Sequence, residues 1–401
     1  VTVRFSDIDE LLLQLTTIHQ AHPLLEKADL ALKLKKSAPH ADPLTIAVAL
    51  DTFMTRRDPE GKFGTWGSQG YFVSALVEQA SREAIARYRS QYFTGLQHVL
   101  EIGTGTGSDT AALARVSHRV TSIESDPIRA ELARHNLAQQ GITNVTVVVG
   151  DALEVLSSLD MKLFDGFFAD PARRTKTGQR VKDAADYSPP LLDLLSLTHA
   201  KVRAIKVSPG LFFDAPSLGW SRQFIGNGDE CLEQTLWFGS PIVDSSVYLP
   251  DQQIGWNPPT PPVMPLAAAE DLTGFLFEAH AVVNRSQHLA QFFAQRRIAQ
   301  IAPDVAYGIA PSRPPSHEPL LSAFEIVTAM PFALPELRAA LTTLGWTSRT
   351  EIKKRNYTGD IDHLRAALHL PGHYHDAPFG TIVLFTWKGS PWVVIARRCE
   401  D

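Results

Sequence analysis

Val99-Leu100-Glu101-Ile102-Gly103-Thr104-Gly105-Thr106-Gly107 runs from a short apolar stretch into three alternate glycines. Glycine lets the backbone turn tightly and brings a ligand close to the loop amides, so this reads as a nucleotide-type loop between a strand and a helix. The next apolar run, Arg119-Val-Thr-Ser-Ile-Glu124, places Glu124 21 positions after Gly103. That is close to the roughly 20 expected of a carboxylate that accepts from ribose hydroxyls, and Glu124 is the expected ribose ligand. A dinucleotide fingerprint has its third glycine three places after the second. Ser108 stands there and Gly107 comes one residue early, which disfavours an NAD site.

Outward from the loop, short apolar runs alternate with amphipathic helical segments. The runs are His98–Ile102, Arg119–Glu124, Val145–Asp151, Phe164–Asp170 and Arg203–Ser208. The alternation predicts a parallel, doubly wound α/β sheet. Leu232–Phe238 and Ser245–Leu249, joined by Gly239-Ser240-Pro241, are expected to form a closing hairpin. Asp7 to Arg89 shows three- and four-residue apolar steps and reads as helical, interrupted by a loop at Asp58-Pro-Glu-Gly-Lys-Phe-Gly-Thr-Trp-Gly67. Five prolines between Asn257 and Pro265 mark a linker. Phe275–Ala302 is helical in pattern, and proline-rich Ile309–Pro319 is expected to loop. After it come a helix at Leu334–Leu344, a strand at Thr350–Lys354, a helix at Asp360–Leu370, and strands at Gly380–Trp387 and Trp392–Ala396, a small α+β unit. The expected organisation is a helical domain over 1–94, the sheet domain over 95–256, a connecting region over 257–323 and the α+β domain over 324–401.

The 401 residues carry 38 basic and 43 acidic side chains, net −5, without the bulk positive field of a protein that coats nucleic acid. Any nucleic-acid contact is therefore local. Cys231 and Cys399 are the only cysteines, too few for a disulfide framework or a cysteine-rich zinc site. With no signal-like start at Val1–Glu10 and no apolar run long enough to span a bilayer, a cytoplasmic setting without membrane contact is expected.

The order of glycine turn, acidic strand end, Gly150-Asp151-Ala152 and Asp170-Pro171 resembles that of class I methyltransferases, across Gln97 to Leu249. The resemblance implies a Rossmann-like sheet and S-adenosylmethionine as cofactor. It places Asp151 and Ala152 beside the adenine and Glu101 near the methionine amino group, with Gly103, Thr104, Gly105 and Gly107 passing close to the cofactor. Asp126, just before Pro127, is expected to cap a helix instead.

Phe164-Asp-Gly-Phe-Phe-Ala-Asp170-Pro171-Ala172-Arg173-Arg174 ends the fourth strand, at the edge where open α/β sheets bind ligands. Asp170, Pro171 and Arg173 are the catalytic candidates. The Asp-Pro-Ala-Arg sequence resembles a motif of RNA methyltransferases, but Lys206-Val207-Ser208-Pro209 stands where the uracil C5 enzymes carry their cysteine. An aligned acceptor and one polar group such as Asp170 suffice for transfer to nitrogen or oxygen. Arg173 and Arg174 either contact substrate or pair with Asp183 or Asp186; Lys206 either contacts substrate or is a solvated strand end.

Glu78-Gln-Ala-Ser-Arg-Glu83, Ala86-Arg-Tyr88, Asp170-Pro-Ala-Arg-Arg, Lys206-Val-Ser-Pro, Leu236-Trp-Phe-Gly, Glu278-Ala-His280 and Glu351-Ile-Lys-Lys-Arg-Asn-Tyr357 with Asp362 occur in this order. Together they resemble a bacterial methyltransferase family with a THUMP-like carboxyl-terminal domain. Because THUMP domains accompany RNA-modifying enzymes, the resemblance implies an RNA partner. Lys353, Lys354 and Arg355 with Tyr357 offer phosphate contact and base stacking, or else a solvated edge. His373-Tyr-His375-Asp376 lacks a third convincing ligand, and no metal is expected. Trp66 and Tyr71 either close over substrate or pack the helical part against the core. The competing readings are a small-molecule or protein methyltransferase and a non-catalytic, cofactor-binding RNA-binding protein.

Overall fold

The computed structural model describes residues 4–57, 61–173, 183–197, 200–259, 272–303, 305–313, 318–372, 378–387 and 389–399. The chain divides into two compact units: Val1–Ser221 with Gln234–Ile242, and Arg222–Glu233 with Val243–Asp401.

The first unit begins with helices α1 (Phe5–Ala21), α2 (Lys27–Ser37), α3 (Pro43–Arg56), α4 (Ser74–Gln79) and α5 (Glu83–Ser90). α1 buries Ile8, Leu11, Leu12 and Leu15, one stripe of a 3.6-residue period. Asp42 starts α3, accepting from the Leu44 and Thr45 amides ahead of a first-turn proline. Tyr71 joins the core of these helices and Trp66 packs with Phe63 and Phe72, so both aromatics serve packing.

The sheet follows as β1 (Val99–Ile102), α6 (Ser108–Val116), β2 (Val120–Glu124), α7 (Pro127–Gln139), β3 (Val145–Val149), α8 (Ala152–Ser157), β4 (Gly166–Ala169), α9 (Leu191–Ser196) and β5 (Val202–Val207). Strands β6 (Ser221–Asn227), β7 (Glu230–Phe238), β8 (Ser246–Leu249) and β9 (Ile254–Trp256) come next. In the first unit the strand order is β3-β2-β1-β4-β5-β7; the first five are parallel and β7 runs antiparallel to β5. The order reverses between β1 and β4, the switch point at which open α/β sheets bind ligands beyond the carboxyl ends of their strands.

The expected hairpin between β7 and β8 does not form. β8 pairs with β6 in parallel and with β9 antiparallel. Ser-Arg-Gln-Phe-Ile-Gly-Asn has no alternating apolar pattern, so β6 carries no strand signal in the sequence.

The second unit continues with β10 (Phe275–Ala279), α10 (Ala281–Ser286), α11 (Leu289–Gln295), β11 (Ala299–Gln300), β12 (Tyr307–Ala310), β13 (Leu321–Pro331), α12 (Leu334–Leu344), β14 (Glu351–Arg355), α13 (Ile361–Leu368), β15 (Thr381–Trp387) and β16 (Ser390–Arg398). Its seven-stranded sheet has the order β11-β12-β10-β13-β16-β15-β14. Phe275–Ala302 is thus not helical throughout: its first five residues form β10, with Leu276 and Phe277 buried in different clusters. A strand covered on both faces reads as a continuous apolar run, which periodicity does not separate from a buried helix. Ile309 and Ala310, expected in a loop, lie in β12. Residues 260–265 of the proline-rich linker, 314–317 of the second proline-rich stretch and the His373–Asp376 cluster fall outside the described residues.

Asn136 of α7 clamps the helical segment to the sheet. Its Oδ1 accepts from the Tyr71 amide at 2.7 Å, and its Nδ2 donates to the Tyr71 and Thr106 carbonyls at 3.0 and 3.1 Å, all buried. Truncation orphans backbone groups that water does not reach. Asn136→Ala is expected to cost about 2–4 kcal/mol in urea unfolding; a loss below about 0.5 kcal/mol, typical of a surface site, contradicts this role.

Candidate functional site

The glycine loop is shaped by close approach. Gly103 has φ of 91°, and a Cβ there would lie 2.6 Å from the Asp170 carbonyl oxygen, so glycine alone lets the loop lie against the end of β4. Gly105, at φ of 56°, donates its amide to Glu124 Oε2 at 3.0 Å, and Gly107 at φ of 86° precedes α6. Thr104 Oγ1 and Ser122 Oγ share a hydrogen bond of 2.6 Å, fixing the loop to β2. Glu124, whose other oxygen accepts from the Asp126 amide at 3.1 Å, is therefore already bound to the loop. Asp126 caps α7 as expected, taking the Ile128 and Arg129 amides. Asp151 caps α8 through the Leu153 and Glu154 amides and is itself exposed, while Ala152 beside it is buried.

Glu101 is wholly buried in β1, and neither carboxylate oxygen has a hydrogen-bond partner. Burial pushes its pKa up to about 8; the Ser122 and Thr110 hydroxyls nearby pull it back, while Asp109 and Asp170 push it further. Near neutral pH it is a protonated acid beside the glycine loop. Such a group matches a ligand ammonium, which would restore its charge.

At the carboxyl ends of β4 and β5, the Lys206 ammonium meets Asp170 Oδ2 at 2.7 Å. The Lys206 side chain is 4% exposed, so it is not a solvated strand end, and its charge is spent on Asp170. Among the described residues Asp170 Oδ1 has no hydrogen-bond partner, and the side chain is 21% exposed. Lys206 also donates to Ser81 Oγ at 3.2 Å. Ser81 donates to Asp109 Oδ2 at 2.7 Å and accepts from Arg89 Nη2 at 2.7 Å, and Arg89 pairs with the other Asp109 oxygen. Burial alone would raise the Asp109 carboxyl, but Arg89 and Lys206 outweigh it and hold it below the usual range. Lys62 lies within electrostatic reach: burial, then Lys206 and Arg82, push its pKa down to about 8, and its ammonium donates to the Val77 and Glu78 carbonyls.

Sequence reasoning singled out Asp170 and Lys206 but not their pairing, and it did not single out Arg89, Asp109 or Lys62, which the structure brings close to them. Their signals were present: Asp109 is two residues past Gly107, and Ser81 lies in the Glu78–Glu83 stretch already singled out. Pro171 is buried and Arg173 half-buried, and no ion pair joins Arg173 to Asp183 or Asp186. Arg174 lies outside the described residues.

In the basic run of the second unit two cations are paired with one carboxylate, while Lys354 is exposed. Lys353 Nζ meets Glu278 Oε2 at 2.5 Å and Arg355 Nη2 meets Glu278 Oε1 at 3.1 Å, while Tyr307 donates to the same carboxylate. Lys354 donates to the Gly359 carbonyl. One half-buried carboxylate thus takes up two of the three cations. β10 and β14 are four strand intervals apart, about 19 Å in a flat sheet. The Lys353–Glu278 bond therefore requires this sheet to curl strongly.

Residues 99–176 match the family described as "Methyltransferase domain", and residues 321–398 the one described as "THUMP domain-like". Over 364 residues, 88% of this chain and 96% of the relative, the chain is 27% identical to an uncharacterized S-adenosylmethionine-dependent methyltransferase of Mycobacterium tuberculosis. A protein-L-isoaspartate O-methyltransferase of Methanoculleus marisnigri is 39% identical over 87 residues, 22% of this chain and 34% of that protein. A crystallised methyltransferase candidate from Porphyromonas gingivalis superposes with a TM-score of 0.71, covering 98% of this chain and 99% of that one at 18% identity, which establishes a shared fold. Among the described residues no helix is long and apolar enough to cross a membrane.

The Glu101 shift carries a pH signature. Its folded pKa of about 8 exceeds the ordinary 4.5, so its contribution is fully present below about pH 4.5 and is lost as pH rises towards 8. The slope is about 1.4 kcal/mol per pH unit. Glu101→Gln, which stays neutral, is expected to gain stability over the parent protein as pH rises from 5 to 8 in cofactor-free thermal unfolding. Parallel stability curves for the two proteins count against a protonated Glu101.

Proposed function

We propose that this S-adenosylmethionine-dependent methyltransferase acts on RNA, placing the methyl group on a nitrogen or oxygen without a cysteine nucleophile. The observation that carries the chemistry is the Asp170 carboxylate, with one oxygen held by Lys206 and the other partly exposed beside the glycine loop. The RNA part rests on the THUMP-like domain over 321–398.

Glu101, Gly103, Thr104, Gly105, Gly107, Glu124, Asp151, Ala152 and Asp170 form the cofactor side of this reading. Buried Glu101 receives the cofactor's ammonium, and the glycine turn leaves its backbone open to close approach. Glu124, held against the Gly105 amide, and Asp151, at the start of α8, stand at the ends of successive strands for the ribose and adenine. Bound S-adenosylmethionine supplies an electrophilic methyl carbon on a sulfonium. Asp170 Oδ1 would orient the acceptor by accepting its N–H or O–H, and Asp170 or water would take up the proton that the acceptor gives up. Pro171 fixes the backbone after Asp170, and half-buried Arg173 supplies a donor fork for phosphate. Cys231 offers no thiolate, because burial pushes its pKa up to about 12.

In the second unit the RNA contact falls to Lys354, with Lys353 and Arg355 shaping the surface around it through Glu278. The bacterial cytoplasm, where S-adenosylmethionine and RNA coexist, is the setting of this reaction. A protein acceptor is the second reading, favoured by the short match to an isoaspartate methyltransferase.

Tritiated S-adenosylmethionine offered with total bacterial RNA, and separately with protein and metabolite fractions, decides between them. Label is expected in RNA and is expected to fall about 100-fold or more in Asp170→Ala. Label confined to protein or metabolites moves the acceptor to that class, and cofactor binding without transfer to any fraction favours a non-catalytic role.

Cofactor binding gives an independent check on Glu101. Titration calorimetry near pH 7 in buffers of different ionisation heat is expected to show release of close to one proton from the parent protein and none from Glu101→Gln. Equal proton release by both proteins removes Glu101 from the ammonium site.

A further inference from the structure

We propose that Ser81 is a positioning residue for methyl transfer: its hydroxyl fixes the Lys206 ammonium against Asp170 Oδ2 and so leaves Asp170 Oδ1 for the acceptor. A serine hydroxyl has one proton and two lone pairs, and here all three are used. The proton goes to Asp109 Oδ2, and the lone pairs accept from Arg89 Nη2 and Lys206 Nζ. Ser81 is 4% exposed, so water does not replace these partners.

The residue sits in the joint between α4 and α5, where no regular hydrogen-bond ladder fixes a side chain by default. The joint is nonetheless held: the Ser81 carbonyl accepts from Ser108 Oγ at the first position of α6. One residue of the helical segment therefore touches the helix that follows the glycine loop, the end of β5 and, through Lys206, the end of β4.

Neutralising Lys206 does not itself require Ser81, since Asp170 is already its counter-charge. What Ser81 adds is direction. A lysine ammonium on a four-carbon stem rotates freely about a single carboxylate, and a second acceptor at a fixed point removes that freedom. The charged groups around Lys206 are Asp170 from the end of β4, Asp109 from α6, Arg89 from α5, Lys62 and Arg82 from the helical segment, and Glu101 from β1, which lies close to both Asp109 and Asp170. Among these, Ser81 is the neutral acceptor that joins the Lys206–Asp170 pair to the Arg89–Asp109 pair.

The test reads Lys206 directly and needs no acceptor, so its failure is separable from failure of the RNA reading. Full-length protein with isotope-labelled lysine is followed by NMR at one fixed pH, and the Lys206 signal is assigned with Lys206→Arg. Removing the second acceptor lets the ammonium rotate about Asp170, so Ser81→Ala is expected to displace the Lys206 signal and raise the amplitude of its side-chain motion. Ser81→Cys keeps a side chain of similar size but offers only a weak sulfur acceptor; it is expected to displace the Lys206 signal the same way and serves if the alanine variant does not fold. In whichever fraction accepts label, both variants are expected to lose about 10-fold in kcat with S-adenosylmethionine affinity unchanged. A Lys206 signal and side-chain motion unchanged in both variants overturn the proposal. So does a loss of activity that merely tracks lost folded protein or lost cofactor affinity.

Discussion

A lysine ammonium buried at the end of a β-strand has to be answered by charge and by hydrogen-bond acceptors, because desolvating it without them costs several kcal/mol. Lys206 imposes that requirement here, and much of the first unit is arranged around it. Asp170 supplies the counter-charge and Ser81 the neutral acceptor. Arg89 and Asp109 form the adjoining buried pair that gives Ser81 a fixed place. The helical segment is thereby part of the site's electrostatics and not merely a cover over one face of the sheet.

The glycine loop answers a different constraint, that of space. Gly103 lies so close to the Asp170 carbonyl that a side chain is excluded, and the Asp170 amide in turn donates to the Ile102 carbonyl. The backbone that would cradle a cofactor and the carboxylate that would meet an acceptor are therefore parts of one rigid junction at the switch point of the sheet. Glu101 sits below it, buried and without a partner, a cost in stability that the fold retains where a cationic ligand would relieve it.

Legibility followed local chemistry. The strand, glycine turn and acidic strand end could be read because each rests on a backbone demand that few residues meet. α12 could be read to its end, since Leu334–Leu344 has a helical stripe and Gly345 stops it in the left-handed region. β6 and β10 could not: the first has too little apolar patterning, and the second is buried on both faces and so shows no period of two. Lys206 and the run Lys353–Arg355 looked like exposed cations because sequence does not show which distant carboxylate the fold brings beside them. Glu278 lies 75 positions before Lys353, and that separation carries no sequence signal.

The path of the chain between its two units bears on how the protein is made. The backbone leaves the first unit after Ser221, returns at Gln234, and leaves again after Ile242. During synthesis the parallel strands through β5 emerge first, but β7, which pairs with β5, arrives only after a segment that belongs to the second unit. That segment carries most of β6, whose partner β8 in the second unit emerges only after β7. No single cut of the chain therefore frees either unit intact.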